Sequence, residues 1–315
     1  MNQAPITTKP CPAVLFIVFN RPDTTTQVFQ AIRAARPSRL YVAADGARPH
    51  RSGEQAVVDE VRRIATQIDW PCELVTLFRD TNLGCKRAVS SAIDWFFEQE
   101  SEGVILEDDC LPHPDFFMYC AELLERYRND ERVGLISGTA LANLREEKLC
   151  WDNEDYVFSR YFSVWGWASW RRAWTDYDVS IAAWQDRRDD ILSQTLNRRL
   201  RSAHASYFDG VSRDKIDTWD YQLAFMMWST GRLAVSPRFN LIENLGFGPA
   251  ATHTVRRGGE IERRSKMAQA RLRFPITAPA MICPNYAFQK FLEGLATQPR
   301  ILAVLRALTR RALGS

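Results

Sequence analysis

The sequence predicts an α/β fold with a largely parallel central sheet, helices on both faces and a less regular second half. Two observations predict it. Through the first 140 residues, short apolar runs of strand length alternate with segments whose apolar residues recur at helical spacing. The short runs are apolar throughout, which is typical of parallel strands that are covered on both faces.

The elements of this first part follow one another in a regular order. Strands are predicted at 13–19, 40–44, 73–78 and 104–106. Helices are predicted at 24–35, in the stretch between residue 46 and about residue 68, and at 84–99. In a parallel sheet, ligands bind beyond the carboxyl ends of the strands. Asn20 and Arg21, Asp45 and Gly46, and an acidic triplet from residue 107 each follow a strand, so we expect them along one edge.

The second half has a weaker periodicity. A helix is predicted at 115–128, a short strand at 133–137, helices at 174–207 and 217–230, and a strand at 232–235. The aromatic block at 161–170 has the character of a loop, and so does 249–265. No linker rich in Pro, Gly or Ser separates the halves, so both are expected in one compact body.

Composition excludes several classes of protein. The 315 residues are 46% hydrophobic and 25% charged, which excludes a disordered, collagen-like or low-complexity chain. No apolar run is long enough to cross a bilayer, and the first residues lack the pattern of a secretory signal. Seven scattered cysteines without a CxxC pair predict reduced thiols rather than disulfides or a zinc site, which favours a cytoplasmic protein.

The net charge of +3 is unevenly distributed. Residues 256–315 contain twelve Lys and Arg against three Asp and Glu, whereas the rest of the chain is net acidic. Such a segment suits an anionic ligand, a membrane surface or nucleic acid, but the absence of interleaved aromatic residues argues against nucleic acid. From Arg300 the spacing predicts an amphipathic helix that lies on an anionic membrane, packs on the body or contacts a second subunit.

The sharpest feature is the triplet Glu107, Asp108 and Asp109, directly after a buried strand. Adjacent carboxylates repel one another, and a cation relieves that repulsion. Mg²⁺ and Mn²⁺ prefer such oxygen ligands and hold phosphate-bearing molecules, so the triplet predicts a divalent metal site. Arg21 suits a phosphate or a pyrimidine edge, and Asp45 suits a base or ribose. The chain has neither GxGxxG after its first strand nor a P-loop motif, which argues against dinucleotide oxidoreductases and P-loop kinases.

Four motifs follow this strand order. They are FNRPD at 19–23, Asp-Gly at 45–46, Asn-Leu-Gly at 82–84 and VILEDDCLPHPDFFMY at 104–119, of which the last is the most specific. Together they resemble the nucleotide-sugar domain of GT-A glycosyltransferases, most of all the N-acetylglucosaminyltransferase I type. The similarity continues through the aromatic block, TWDYQ at 218–222 and the segment 237–248, and covers about residues 13–255.

This resemblance implies roles for the residues at the strand ends. In the family, the last acid of the triplet ligates the divalent metal that bridges the donor diphosphate, and this acid is Asp109 here. Glu107 and Asp108 would line the sugar and ribose side. Asp45 would contact the base, and Arg21 would face the nucleotide.

The resemblance also implies a catalytic base. Enzymes of this type invert the anomeric centre and use one carboxylate to take the proton of the acceptor hydroxyl as the new bond forms. Trp219 and Asp220 match the segment that supplies this carboxylate. The family has a second acid directly after it, where this chain has Tyr221. The base is therefore either Asp220 or Asp217.

Further residues are candidates for contact with the donor. Trp165 or Trp167 would stack on a sugar ring, with core packing as the alternative, whereas Trp170 is expected in the core. Lys86, at the start of the helix after 82–84, suits a donor phosphate.

Three more candidates lie in the segment that follows residue 248. In many GT-A enzymes a His or a basic residue from such a loop reaches the metal or the diphosphate. His253 is a candidate metal ligand or, together with Arg256 or Arg257, a candidate diphosphate contact, and both arginines are candidate diphosphate contacts.

Together these features predict a metal-dependent, inverting glycosyltransferase that uses a nucleotide-diphosphate sugar, with UDP as the expected nucleotide and Mn²⁺ or Mg²⁺ as the cation. Residues 1–140 would bind the nucleotide sugar, 141–265 would form the acceptor and catalytic half of the same domain, and 266–315 a basic C-terminal segment. The acceptor would be a glycan or a lipid-linked molecule, with 299–315 in peripheral contact with the inner face of the membrane.

Two alternatives stay open. One is a sugar-1-phosphate nucleotidyltransferase, which is disfavoured because the turn after the first strand lacks glycines. The other is a non-catalytic protein that binds a sugar nucleotide.

Overall fold

The computed structural model describes residues 9–144, 146–149, 153–195, 197–247, 260–266 and 271–297. Within them a large mixed sheet is covered by helices, which confirms the predicted α/β class. The strands are β1 (Val14–Val18), β2 (Arg39–Ala44), β3 (Glu73–Phe78), β4 (Glu102–Glu107), β5 (Cys110–Pro112), β6 (Val133–Ser137), β7 (Tyr156–Ser159), β8 (Trp167–Trp170), β9 (Leu233–Pro237) and β10 (Ile242–Asn244). The helices are α1 (Pro22–Ala35), α2 (Glu54–Ala65), α3 (Gly84–Gln99), α4 (Phe116–Arg126), α5 (Arg171–Trp174), α6 (Trp184–Ser193), α7 (Arg198–Ser212), α8 (Asp220–Ser229), α9 (Glu260–Arg264) and α10 (Tyr286–Ala296).

The large sheet has the strand order β3-β2-β1-β4-β8-β6-β9-β7. Its first four strands are mutually parallel, as the sequence predicts. β8 runs antiparallel to both β4 and β6, β9 is parallel to β6, and β7 closes the sheet antiparallel to β9. A separate two-stranded sheet pairs β5 with β10 just beyond the end of β4.

Two hydrophobic clusters, one on each face of the sheet, explain why the central strands are apolar throughout. Along β1, Val14, Phe16 and Val18 pack in one cluster with side chains of α1, α2 and α4. Leu15 packs in the other cluster with side chains of α3 and α8. Each large apolar side chain buried in this way stabilises the fold by roughly 1.5–3 kcal/mol, so both faces hold the central strands in place.

The turn after β1 is fixed by the start of α1. The helix begins at Pro22, earlier than the predicted residue 24, because proline suits the first helical position, where its missing N–H has no partner to lose. The Thr25 hydroxyl donates to the carbonyl oxygen of Arg21 at 2.7 Å. Arg21 is therefore held at the carboxyl end of β1.

The aromatic block contains a strand, although the sequence pattern favoured a loop. β8 inserts between β4 and β6, with Trp167 opposite Ile105 and Trp170 opposite Glu102. Trp167 lies in one hydrophobic cluster and Trp170 in the other, since the two side chains point to opposite faces of the sheet. The block is ordered by burial on both faces, which short-range periodicity does not reveal.

Other parts of the second half also differ from the prediction. The helix predicted over 174–207 is divided into α6 and α7, because Asn197 caps α7 by accepting from the N–H groups of Arg199 and Leu200. In the predicted loop at 249–265, residues 260–264 form α9, while the preceding part lies outside the described residues. The predicted amphipathic helix at 299–315 lies outside them as well. None of the described helices combines the length and the apolar character that a membrane span requires.

Candidate functional site

The neighbouring parallel strands β1 and β4 bring Arg21 against the acidic triplet. The Arg21 Nη1 atom lies 2.7 Å from Asp109 Oδ2 and 3.3 Å from Asp108 Oδ1. The backbone N–H of Phe19 donates to Asp108 Oδ2 at 3.1 Å. One guanidinium thus faces two carboxylates at the carboxyl edge of the sheet, where the sequence analysis expected them.

The acids at this edge carry more negative charge than their surroundings neutralise. Burial, followed by the charges of Asp109, Asp108 and Asp220, raises the pKa of Glu107 to about 8. Burial and then the charge of Asp109 raise the pKa of Asp108 to about 7, although Arg21 acts in the opposite direction. An additional cation would therefore be bound favourably here.

The backbone that follows β10 contacts Asp109 directly. The N–H of Leu245 donates to the carbonyl oxygen of Asp109 at 2.7 Å, and the N–H of Gly246 donates to Asn244 Oδ1 at 2.7 Å. A Cβ atom at Gly246 would lie 2.1 Å from Asp109 Oδ2, so only glycine allows this approach. No sequence motif marks Gly246, since its closeness to Asp109 depends on the pairing of β5 with β10.

The donor set at Asp109 fits a hard divalent cation that shares its ligands with a phosphate. Among the described residues, no three His, Cys, Asp or Glu side chains are arranged to hold a metal by themselves. Mg²⁺ is commonly held by one or two carboxylates, with substrate phosphates and water completing its shell, and Mn²⁺ accepts the same ligand types. The Asp109 side chain, 16% exposed, offers such an oxygen, which fits the metal predicted from the sequence.

Asp45 lies at the carboxyl end of β2, but its carboxylate is engaged within the chain. It accepts hydrogen bonds from the N–H groups of Gly46, Leu83 and Gly84 at 3.0–3.2 Å, and from Asn82 Nδ2 at 2.9 Å. Burial raises its pKa, against the effect of these donors. Asp45 therefore ties the end of β2 to the start of α3, and its predicted contact with a base stays a prediction.

The two candidate bases occupy different positions. Asp220 is the first residue of α8, and its Oδ1 accepts from the Thr218 hydroxyl and from the N–H of Tyr221. Its charge contributes to the raised pKa of Glu107, which places it near the acidic triplet. Asp217 instead accepts from the backbone N–H of Lys86 at 2.9 Å, in the first turn of α3.

Lys86 contacts an acid rather than the triplet. Its Nζ donates to Asp214 Oδ1 at 2.5 Å, and the Lys86 side chain is 11% exposed while that of Asp214 is 80% exposed. The ammonium lowers the pKa of the Asp214 carboxyl. Lys86 would have to leave this ion pair to reach a donor phosphate.

Of the aromatic candidates, Trp165 packs against the segment that follows β10. Its ring packs edge-on against Phe247 at 5.7 Å between centroids, and Phe247 follows the Gly246 that contacts Asp109. Trp167 is 1% exposed and packs between the rings of Trp174 and Trp219, so contact with a sugar would require this cluster to open.

Trp170, expected in the core, is also 1% exposed there. Its indole N–H donates to the carbonyl oxygen of Leu124 at 3.1 Å.

His253, Arg256 and Arg257 lie outside the described residues. The described chain on either side of them is held together near Asp109. Lys266 Nζ lies 2.6 Å from Glu243 Oε1 in β10, and the Asn240 amide donates to the carbonyl oxygen of Arg264.

No protein-family model matches the sequence, and no curated protein matches it. Some solved structures are similar to it in part. UDP-glucose pyrophosphorylase complexed with UDP-glucose is 9% identical, with a TM-score of 0.39 over 81% of this chain and 97% of that protein. Mouse xyloside xylosyltransferase 1 in its apo form is 9% identical, with a TM-score of 0.33 over 69% of this chain and 80% of that protein.

HddC from Yersinia pseudotuberculosis is 9% identical, with a TM-score of 0.28 over 40% of this chain. The present chain spans 57% of the length of HddC. At these low TM-scores the similarities carry no argument about activity. The fold class rests on the strand order of the chain itself.

Proposed function

We propose that this protein is an inverting glycosyltransferase that moves a sugar from a nucleotide-diphosphate donor, with UDP as the nucleotide, to an acceptor hydroxyl. One observation carries the proposal. The carboxyl edge of the sheet holds a guanidinium against a triplet of carboxylates, and the charge of Asp220, from a segment more than 100 residues further along the chain, acts on Glu107 there. These are the groups needed to hold a diphosphate and to remove a proton nearby.

The donor side of the proposal rests on Asp109 and Arg21. Asp109 would hold Mn²⁺ or Mg²⁺ with one carboxylate oxygen, and Arg21, already 2.7 Å from that side chain, would turn toward the diphosphate. A bound divalent cation supplies positive charge that stabilises the departing diphosphate. Arg21 contributes charge and bidentate hydrogen bonds to the same group, which orients the bond that breaks.

The base in this proposal is Asp220. Its Oδ1 is held by the Thr218 hydroxyl and the N–H of Tyr221, while its Oδ2 has no hydrogen bond within the described residues. Oδ2 would take the proton of the acceptor hydroxyl as the acceptor oxygen bonds to the anomeric carbon and the bond to the diphosphate breaks. Such proton transfer typically contributes about 10²–10⁴-fold in rate.

A donor-hydrolysis panel tests this function without a known acceptor. Purified protein is incubated with a set of UDP-sugars, with Mn²⁺, with Mg²⁺ or with EDTA, and released UDP is measured. We expect slow release with one sugar, dependence on the cation, and loss of activity in Asp109→Ala. Asp190→Asn, an exposed acid paired only with Arg187 at 3.5 Å among the described contacts, serves as the control.

The same panel distinguishes the two alternatives. If the protein is a nucleotidyltransferase, added pyrophosphate should react with the UDP-sugar and yield nucleoside triphosphate and sugar-1-phosphate. UDP binding by calorimetry without turnover of any donor would indicate a non-catalytic binding protein. Equal UDP affinity in Mn²⁺ and in EDTA would contradict the proposed metal dependence.

The acceptor side of the proposal extends to a lipid-linked or glycan acceptor near an anionic membrane. The excess of basic residues in 256–315 supports it, since such segments are attracted to anionic lipids. Co-sedimentation with vesicles of phosphatidylcholine, with and without phosphatidylglycerol, tests the contact. We expect binding to the anionic vesicles that is lost when 299–315 are deleted.

A further inference from the structure

The loop between α7 and α8 contacts the first turn of α3 through two aspartates, both of which accept hydrogen bonds from Lys86. Asp217 Oδ1 accepts from the backbone N–H of Lys86 at 2.9 Å, and Asp214 Oδ1 accepts from Lys86 Nζ at 2.5 Å. These contacts span 131 and 128 residues of chain. They join the second half of the molecule to a helix of the first half.

The first turn of α3 is shared between two partners. Asp45, at the end of β2, accepts hydrogen bonds from the N–H groups of Leu83 and Gly84, while Asp217 accepts one from the N–H of Lys86. These amides lack partners inside the helix, and carboxylates are favourable at this end of its dipole. A Cβ atom at Gly84, where φ is +78°, would lie 3.0 Å from Asp217 Oδ2, so glycine gives Asp217 the room to approach.

We propose that Asp217, Lys86 and Asp214 form a latch that positions Asp220 against the acidic triplet, and that Asp217 is a positioning residue. This inference rests on the proposed function of Asp220. α8 begins at Asp220, three residues after Asp217, so fixing Asp217 to α3 fixes where α8 starts. On the other side of this short segment, the Trp219 ring stacks on Trp167 at 5.9 Å between centroids.

Cys85 provides a reporter of the latch that does not depend on activity. This half-buried thiol lies in the same turn of α3. Its pKa is raised by burial and then by the charges of Glu107, Asp217 and Asp220. Opening the loop would remove part of this cover, so the rate of Cys85 alkylation should rise.

The test uses two substitutions of the same residue. Asp217→Asn keeps an oxygen that accepts from the Lys86 N–H, whereas Asp217→Ala does not. If Asp217 positions Asp220, we expect Asp217→Ala to lose about tenfold or more in sugar transfer, because small misplacements near a reacting centre are costly. UDP affinity should stay within about twofold in both variants, and Asp217→Asn should retain most of its transfer, since Asn is as good a helix cap as Asp.

The alkylation arm is run in a Cys283→Ser background, because Cys283 is exposed. Removing the Asp217 charge by itself lowers the pKa of the Cys85 thiol, so the comparison is made between two variants that both lack this charge. Cys85 labelling, followed by peptide mass spectrometry, should be faster in Asp217→Ala than in Asp217→Asn. It should also be faster in Asp214→Asn and in Lys86→Met than in the parent. The Lys86 and Asp214 changes should be non-additive, as expected for residues in contact. Lys9→Met and Glu125→Gln, which break another Lys–carboxylate pair between distant segments, are matched controls and should leave Cys85 unchanged.

Three outcomes would overturn the latch. Asp217→Asn as inactive as Asp217→Ala would make Asp217 the base. Unchanged transfer in folded Asp217→Ala, with Cys85 labelling as slow as in Asp217→Asn, would show that the contact positions nothing. Weaker UDP binding in Lys86→Met but not in Asp214→Asn would make Lys86 a donor contact. If the wild type consumes no sugar nucleotide, the proposed function fails, while the labelling arm still decides whether the loop is held by these contacts.

Discussion

The two halves of the molecule assemble the candidate site by different physical means. In the first half, β1, β2 and β4 are adjacent and parallel, so side chains at their carboxyl ends share one edge through topology alone. In the second half, Asp217 is placed by its hydrogen bond with the Lys86 N–H in α3, and the Trp165 ring packs against Phe247 from a loop. The proposed donor side is therefore fixed by the sheet, whereas the segment of the proposed base depends on a few side-chain contacts between distant parts of the chain.

The largest expected effect comes from the second half. Asp220→Asn should lower sugar transfer by about a thousandfold, because the amide cannot take the acceptor proton. UDP affinity, measured by calorimetry in Mn²⁺, should stay unchanged, since the donor side lies on the sheet. Near-normal transfer by the folded variant would show that Asp220 is not the base. It would also contradict the assignment of proton transfer to this part of the second half.

The second prediction concerns the negative charge of the acidic triplet in the first half and its effect on the stability of the fold. The raised pKa values of Glu107 and Asp108 mean that the unfolded chain ionises first, so the fold loses stability as pH rises from about 4 to about 8. In the absence of divalent cations, Glu107→Gln should therefore be more stable than the wild type at pH 8, and the difference should be much smaller at pH 4. Urea unfolding at both pH values measures the difference.

Added Mn²⁺ should stabilise the wild type at pH 8 and Glu107→Gln less. A stability difference between the two proteins that does not vary with pH would show that the triplet is already neutralised by its surroundings.

A smaller effect is expected where the halves meet. Gly246→Ala would place a Cβ atom against the Asp109 carboxylate, so the acid must shift from its position. We expect UDP affinity in Mn²⁺ to fall about tenfold, or about 1.4 kcal/mol. Gly294→Ala is the control, because among the described residues no atom outside the helix backbone lies within 4 Å of the added Cβ there, and alanine favours the α10 helix.

The smallest effect concerns Asp45. This residue belongs to the first half but, like Asp217, accepts hydrogen bonds from N–H groups at the start of α3. Asp45→Ala removes the acceptor for Leu83 and Gly84 in the first turn of α3, so the free energy of unfolding should fall by about 1 kcal/mol. Chemical denaturation measures it. No loss of stability would mean that water replaces the carboxylate without cost, and would leave donor contact as the role of Asp45.

Sequence patterns predict the first half well, and the reason is physical. β1, β2 and β4 are largely apolar because both faces are covered, whereas β3 lies at the edge of the sheet and is partly exposed. The ends of these strands carry the turn residues that follow. The position of Arg21 beside Asp108 and Asp109 then follows from strand adjacency. The roles of these residues stay predictions.

The second half is less accessible to the same reasoning. β8 is stabilised by the burial of Trp167 and Trp170 on opposite faces, a tertiary effect that leaves no period in four residues. The engagement of Asp45 by the start of α3 and of Asp217 by Lys86 depends on backbone donors, which every sequence possesses and no motif marks. Asp45 and Asp217 are conspicuous in the sequence, but their partners are not.

The insertion of β8 beside β4 has a consequence for dissecting the molecule. A fragment ending near residue 140 would keep the parallel strands but leave the backbone of β4 without its neighbour from 102 to 105. Such an open strand edge promotes self-association. Chimeras that exchange the acceptor side should therefore retain 167–170 with the amino-terminal portion, and separately expressed pieces should become soluble only when a peptide containing these residues is supplied in trans.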